Sequence, residues 1–219
     1  MSVKTRNPLV GDRLYVSQKE FYRKTYIEET APPWEKSFDQ GWLGATLEKL
    51  GPGQGKLALD IGAGSGRASI IMARRGYKVV GVDYVFHPLP SALARARNRP
   101  WPKFINTDLF EAPFRQGSFD MALDWGVFHH IRRRDTAGYI SAVTALLKPG
   151  GVFLLGCFSR NFRHEGEGNR KRNWTVHRGH YDRFSSAGEL RAIFAPYFIM
   201  GRVWESPSGF YYLSMRKAG

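Results

Sequence analysis

The stretch Asp60-Ile-Gly62-Ala-Gly64-Ser-Gly66-Arg67 constrains this chain more than any other. A short apolar run, Lys56-Leu-Ala-Leu-Asp-Ile, leads into it, and a helical pattern from Gly66 to Gly76 leads out. A buried strand that turns abruptly into a helix needs residues that tolerate positive φ, which glycine supplies. The same turn lets a ligand lie against the main chain and aims the first N–H groups of the helix at it. The next predicted strand, Tyr77-Lys-Val-Val-Gly-Val-Asp83, ends in an acid 21 positions after Gly62. An acid at about 20 residues is placed to accept ribose hydroxyls. In the dinucleotide fingerprint Gly-x-Gly-x-x-Gly, the third glycine brings a pyrophosphate onto the helix end. Here that glycine arrives one residue early. Asp60 would also repel a pyrophosphate, yet could hold a cationic group. A ligand with ribose, adenine and ammonium but no phosphate fits better.

The rest of the chain alternates. Leu89 to Arg99 reads as a helix, Lys103 to Asp108 as a strand, and Ser118 to Asp124 as another strand. Arg133 to Leu147 is helical and closes on Lys148-Pro-Gly-Gly, and Val152 to Phe158 is a fifth strand. Strands alternating with helices predict a parallel sheet covered on both faces. A helix from Ser185 to Phe194 follows, capped by Ser185 or Ser186. Tyr197 to Glu205 and Gly209 to Arg216, joined by Ser206-Pro-Ser-Gly, predict an antiparallel hairpin at the sheet edge. The fold class expected is α/β: a doubly wound, mostly parallel seven-stranded sheet with a C-terminal antiparallel hairpin and an N-terminal helical cap.

Upstream, residues 1–17 read as a loose arm. Gln18 to Glu29 has helical spacing (Phe21, Tyr22, Tyr26), Ala31-Pro-Pro-Trp34-Glu is a breaker, and Ser37 to Leu50 is a second helix. Residues 1–55 thus form a helical cap or arm, and 56–219 the main domain of one structural unit. Within it, residues 159–184 break the rhythm: seven Lys or Arg, three acids, and almost no aliphatic side chains.

Composition excludes several classes. A chain of 219 residues, 42% hydrophobic and 14% aromatic, carries enough apolar surface for one folded core. Its longest apolar stretch, Gly151 to Phe158, is strand-sized, and its N-terminus lacks the apolar core of a signal peptide. The single cysteine, Cys157, excludes an internal disulfide framework and a cysteine-based zinc site. A cytoplasmic protein with no membrane partner and no metal is expected. The net charge of +14 is spread along the chain and would attract anions or nucleic acid.

Leu59-Asp-Ile-Gly-Ala-Gly-Ser-Gly-Arg67 closely resembles the first motif of class I, Rossmann-like S-adenosylmethionine-dependent methyltransferases. The resemblance continues through Gly81-Val-Asp83, Asn106-Thr-Asp108-Leu109, Phe119-Asp-Met-Ala-Leu-Asp124 and Leu146-Leu-Lys-Pro-Gly-Gly-Val152, covering residues 56–158. It implies S-adenosylmethionine as cofactor and S-adenosylhomocysteine as product. It also implies roles. Asp60, Gly62, Gly64 and Gly66 would line the methionine and ribose portion. Asp83 would accept the ribose hydroxyls, with Tyr84 flanking the adenine. Asp108 would accept from the adenine amino group, with Leu109 alongside. Asp124 and Trp125 would lie near the transferred methyl. Asp120, by contrast, is expected to shape the start of its strand.

Asp124-Trp-Gly-Val-Phe-His-His-Ile131 is similar to small-molecule methyltransferases, among them the bacterial group near thiopurine and tellurite-resistance enzymes. Pro32-Pro-Trp34-Glu-Lys is similar to the same group, where Pro-Trp closes over the cofactor. Those relatives often carry Asp-Arg-Gly where this chain has Asp124-Trp125-Gly126. A thiol or other soft nucleophile would need little beyond alignment. An oxygen or nitrogen acceptor would need a base, and His129 or His130 is the candidate, because imidazole titrates near neutrality. The basic insertion follows a strand's carboxyl end and is placed to cap the substrate. Arg160, Arg163, Trp174 and Tyr181 are its candidate contacts to an anionic or aromatic small molecule. The alternative supported by charge, including the run Arg170-Lys-Arg172, is an RNA or other macromolecular substrate. A non-catalytic cofactor-binding regulator is a third reading.

Overall fold

The computed structural model describes residues 12–29, 32–36, 39–164, 167 and 172–219. The expected arm up to residue 11, the helix start at Ser37, and Arg170 and Lys171 lie outside the described residues. Three helices come first: α1 (Arg13–Glu28), the single turn α2 (Pro33–Lys36) and α3 (Gln40–Leu50). Then β1 (Leu57–Ile61), α4 (Arg67–Arg74), β2 (Lys78–Asp83), α5 (Leu89–Arg95), β3 (Lys103–Asn106) and β4 (Phe119–Trp125) alternate. The chain continues through α6 (Thr136–Leu146), β5 (Leu147–Phe158), β6 (Trp174–His177), β7 (His180–Arg183), α7 (Ala187–Phe194), β8 (Phe198–Glu205) and β9 (Phe210–Lys217).

Seven strands form one sheet in the order β3-β2-β1-β4-β5-β9-β8. The first five are parallel, and β9 runs antiparallel to both β5 and β8. The expected fold class is therefore observed. The strand order reverses between β1 and β4, and such sheets bind ligands outside the carboxyl ends of the strands at that point.

The two-residue period of the strands divides the core. Leu59 and Ile61 of β1 pack with Ala122, Tyr139, Val143, Leu190 and Phe194 on the α6–α7 face. Ala58 packs with Leu43, Leu47, Met72, Leu123 and Leu154 on the α3–α4 face. Asp60 shares that second face, so its carboxylate meets α4 instead of solvent. Cys157 is buried within β5. Asp120 accepts from the Leu57 N–H (2.8 Å) and from Lys148 (2.7 Å), tying β4 to β1, as expected.

Three local expectations need correction. Residues 13–17 are not an arm: α1 begins at Arg13, because the Asp12 carboxylate accepts from the N–H groups of Leu14 and Tyr15 (3.0 and 3.2 Å). Arg132 and Arg134 grip the same carboxylate, so the cap is also a tertiary anchor. The breaker after residue 31 contains one helical turn, which proline tolerates at its first position. The insertion is not structureless: β6 and β7 form a two-stranded antiparallel sheet. Its strands are four residues long and polar, too short for an alternating pattern to register. The hairpin packs on α1, where a Cβ at Gly179 would sit 2.4 Å from the Ser17 hydroxyl.

Candidate active site

The glycine loop follows β1, and Gly66 takes the left-handed conformation (φ 77°) with no side chain capping α4. A Cβ there would meet the Phe104 ring at 2.7 Å and Ala92 at 3.0 Å, so only glycine lets the loop sit this close to β3 and α5. At Gly64 (φ 52°) a Cβ would meet the Tyr26 hydroxyl at 2.9 Å and Glu35 Oε1 at 3.6 Å. The outer face of the loop is thus covered by side-chain tips from the N-terminal helices. Gly62 (φ 69°) faces Val127 across the switch point.

Asp83 ends β2 with its carboxylate accepting from the N–H groups of Gly64 (2.9 Å) and Val85 (2.8 Å). Asp60 accepts from the Ser69 hydroxyl at 2.5 Å. Asp124 is fully buried; it accepts from the Val127 N–H (2.7 Å) and the Tyr139 hydroxyl. Burial pushes Asp60 up to about 7, with Ser69 opposing and the charges of Asp83 and Asp124 reinforcing it. Burial likewise pushes Asp83 up to about 6 against the two N–H groups, and Asp124 to about 6 against Tyr139 and its backbone donors. The charges of Asp83 and Asp124 both disfavour ionisation of Asp60, and a cation beside Asp60 would oppose that.

The adenine-side candidates lie beneath α1. Tyr15 donates to the Asp108 carboxylate and stacks on Tyr84 (5.8 Å between rings), while Lys19 sits over the Tyr84 ring at 5.5 Å. Asp108 also accepts from the Phe110 N–H (3.0 Å), and Leu109 packs against the main core. Trp34 donates to the Tyr26 hydroxyl (2.8 Å), and Ser65 to Glu35 (2.7 Å), so α1 and α2 close over the glycine loop. Trp125, expected near the methyl or in the core, packs its partly buried ring among Trp42 and Tyr212, on the face of β4 opposite Asp124.

The two adjacent histidines differ sharply. His129 is buried, stacked on Phe158 at 3.6 Å, and its Nδ1 accepts from the Phe158 N–H. Burial holds its imidazole well below the usual range. His130 Nδ1 lies 3.0 Å from the Tyr181 carbonyl and 2.9 Å from Asp182 Oδ1, while its Nε2 lies 2.6 Å from the Tyr22 hydroxyl. Both Nδ1 neighbours only accept, so the ring proton is on Nδ1 and Nε2 accepts from Tyr22.

The insertion contributes differently from expectation. Tyr181 acts through its backbone: its carbonyl holds His130 and its N–H donates to Gln18 of α1 (3.0 Å). Its ring stacks on Trp174, which lies under Arg172. Arg160 pairs with Glu189 at 3.1 Å, and Arg163 donates to the carbonyls of Arg160 and Phe162. Both arginines are exposed and spend their donors on their own neighbourhood, away from the histidines. Sequence reasoning missed Tyr15, Glu35 and Asp182. The helical spacing of Tyr15, Tyr22 and Tyr26 was a readable signal for a shared face. Among the described residues no group of three or more His, Cys, Asp or Glu is arranged to hold a metal ion. No described helix is long and apolar enough to cross a membrane.

This sheet order, with a glycine loop after β1 and an acid closing β2, defines the fold of the S-adenosylmethionine-dependent methyltransferases. Residues 59–155 match the family model for a methyltransferase domain. The fold is shared with a solved Burkholderia thailandensis enzyme, 1,6-didemethyltoxoflavin-N1-methyltransferase with bound 1,6-didemethyltoxoflavin and S-adenosylhomocysteine. The TM-score is 0.78 at 23% identity, over 94% of this chain and 89% of that one. Magnesium protoporphyrin IX methyltransferase from Synechocystis, solved with bound S-adenosylmethionine, gives 0.66 at 19% identity over 94% and 95% of the two chains. Among curated relatives, a ubiquinone biosynthesis O-methyltransferase of Dinoroseobacter shibae is 35% identical over 119 residues, 54% of this chain and 47% of that one. An uncharacterized methyltransferase of Synechocystis is 34% identical over 110 residues, half of each chain. The chain thus spans about half the length of the curated relatives it matches.

S-adenosylmethionine is the cofactor of this class. The residues present fit it. Its positively charged methionine end would suit the buried Asp60, and Gly64 offers main chain whose nearest neighbours are the side-chain tips of Tyr26 and Glu35.

Proposed function

We propose that the chain transfers a methyl group from S-adenosylmethionine to an oxygen or nitrogen of a small molecule, with His130 taking the acceptor's proton. The observation that carries this reading is the 2.6 Å approach of a phenol hydroxyl, that of Tyr22, to His130 Nε2. As α1 lifts, an acceptor hydroxyl or amine takes the place of the Tyr22 hydroxyl and gives its proton to His130 Nε2. The cofactor supplies an electrophilic methyl on a positively charged sulfur. This chain's residues do the rest: Asp83 and the glycine loop hold the adenosine, Asp108 and Tyr84 flank the base, and α1 with α2 exclude water. Alignment for in-line displacement contributes about 7–11 kcal/mol in such systems. Asp124 keeps the turn into His130 rigid, and His129 packs beneath it.

The names of the relatives support this reading, since they include an O-methyltransferase and an N-methyltransferase of small molecules. The glycine loop and His130 are covered by Tyr22, Tyr26 and Trp34 of the N-terminal helices, a covering that suits a small acceptor better than an RNA. The thiol-acceptor reading draws support from Trp34, which closes over the loop through Tyr26. Calorimetric titration with S-adenosylmethionine and S-adenosylhomocysteine, followed by methyl-transfer assays on phenols, amines, thiols and RNA, tests the proposal. Binding of both with turnover of phenols or amines is expected. Turnover confined to thiols or RNA would overturn the acceptor class, and absence of binding would overturn the cofactor site.

A further inference from the structure

Asp182 is fully buried in β7, yet it is surrounded by imidazoles. His164 Nε2 lies 2.9 Å from its Oδ2, His180 Nε2 lies 3.2 Å from the same oxygen, and His130 Nδ1 lies 2.9 Å from Oδ1. Burial alone would raise this carboxyl; the three imidazoles outweigh burial and hold it far below the usual carboxylate range. A buried carboxylate without a lysine or arginine partner is costly unless hydrogen bonds compensate it, and here the three imidazoles take that place. The Tyr181 carbonyl already takes the His130 N–H, and Asp182 Oδ1 sits beside it without a well-directed hydrogen bond. That oxygen therefore sets a carboxylate charge 2.9 Å from the ring that would become positive on taking a proton.

We propose that Asp182 is the positioning residue for His130: it braces the ring through the imidazole cluster and stabilises the imidazolium formed when Nε2 takes the acceptor's proton. This rests on His130 as the base. It gives the basic insertion a role inside the site, delivered by its hairpin and not by its arginines. The proton balance is simple. The acceptor's lone pair attacks the methyl carbon as the carbon–sulfur bond breaks, its electron pair staying on sulfur so that neutral S-adenosylhomocysteine leaves. The acceptor's O–H or N–H proton moves to His130 Nε2, and the charge pair with Asp182 persists until that proton leaves to solvent. The other groups facing the ring are Tyr22 from α1, His129 beside it at 4.1 Å between rings, His180 at 6.0 Å, and the buried Asp124, whose carboxylate senses His130. His164 reaches it only through Asp182.

The test is a nuclear magnetic resonance titration of the full chain labelled with 15N-histidine, in the parent, Asp182→Asn and His164→Ala, with His130→Gln for assignment. The parent should carry the His130 ring proton on Nδ1 at high pH. In Asp182→Asn the His130 midpoint should fall by at least about one pH unit, since a carboxylate at this distance favours the charged ring about tenfold or more. In His164→Ala, where a half-exposed ring is lost and the fold is preserved, Asp182 is shared less and the midpoint should rise. An unchanged midpoint in both variants, or a proton on Nε2 in the parent, overturns the proposal. Kinetics supply a second readout with catechol and thiophenol as probe acceptors. Asp182→Asn should lower kcat on catechol about a hundredfold relative to thiophenol, with KM little changed. Equal losses on both probes would mark Asp182 as purely structural. If His130→Gln keeps full turnover of catechol, the base reading fails, while the titration still reports on the coupling.

Discussion

Asp83 and Asp182 are both buried aspartates on strands, yet their surroundings drive them in opposite directions. Burial raises Asp83 to about 6, because its partners are two backbone N–H groups. Three imidazoles hold Asp182 far down despite comparable burial. In the proposed function the first belongs to the half that would receive a cationic cofactor, and the second to the half where His130 would become positive. The proposed cofactor half is rich in buried acids, and the proposed acceptor half holds an acid already partnered by imidazoles. Burial sets the cost of a charge, and the identity of the neighbours sets its sign.

The contrast breaks most visibly at His130. His130→Gln should lower kcat on an oxygen or nitrogen acceptor by about 10²–10⁴-fold and leave the affinity for S-adenosylmethionine intact. Steady-state kinetics beside calorimetry will check this, and a matching loss of cofactor affinity would erase the division between the halves. Asp83→Ala should act the other way. Losing a charged acceptor for two ribose hydroxyls is worth about 1.5–3 kcal/mol, or roughly 10–150-fold in cofactor Kd. Unchanged binding would remove Asp83 from the site.

The pH dependence of binding sharpens the comparison. The folded value of Asp83 is raised above its unfolded one, so it is protonated in the free protein below about pH 6. Cofactor binding needs the carboxylate and must expel that proton. Affinity should therefore weaken as pH falls below about 6, by up to about tenfold per unit, and level off above it. The same linkage makes the ligand-free fold lose stability from Asp60, Asp83 and Asp124 as pH rises from about 4 to about 6–7, and level off above. Titration at pH 5, 6, 7 and 8 reads the first effect, and a flat profile would contradict the assignment. The smallest effect is expected at Arg160→Ala and Arg163→Ala. Exposed pairs contribute about 0–1 kcal/mol, so turnover should change less than about threefold. A larger loss would return these arginines to the acceptor site.

The legibility of the two halves differs for a physical reason. Asp60, the three glycines and Asp83 lie within 24 consecutive residues, because a strand, a turn and a helix return the chain to the next strand. Local spacing therefore encodes the cofactor site. Tyr22 and His130 are 108 positions apart, and His130 and Tyr181 are 51 apart. No periodicity links them. His129 and His130 are indistinguishable by type and position, and only the stacking of Phe158 on one and the approach of Tyr22 to the other separates them. The insertion read as a basic segment because seven Lys or Arg dominate its composition, while Tyr181 and Asp182, which meet His130, are buried in a strand of four residues.

The sequence by itself determined the alternation of strands and helices from β1 to β5, the glycine loop, the acid closing β2 and the C-terminal hairpin. Each follows from contacts between chain neighbours or from the period of an apolar face. The tertiary structure alone decided that α1 begins at Arg13 and roofs the cleft, that Trp125 turns into the core, and that Asp182 meets three histidines. Those outcomes depend on surfaces that exist only once the sheet has formed, since the free energy of burying a charge or an aromatic ring is set by what packs against it.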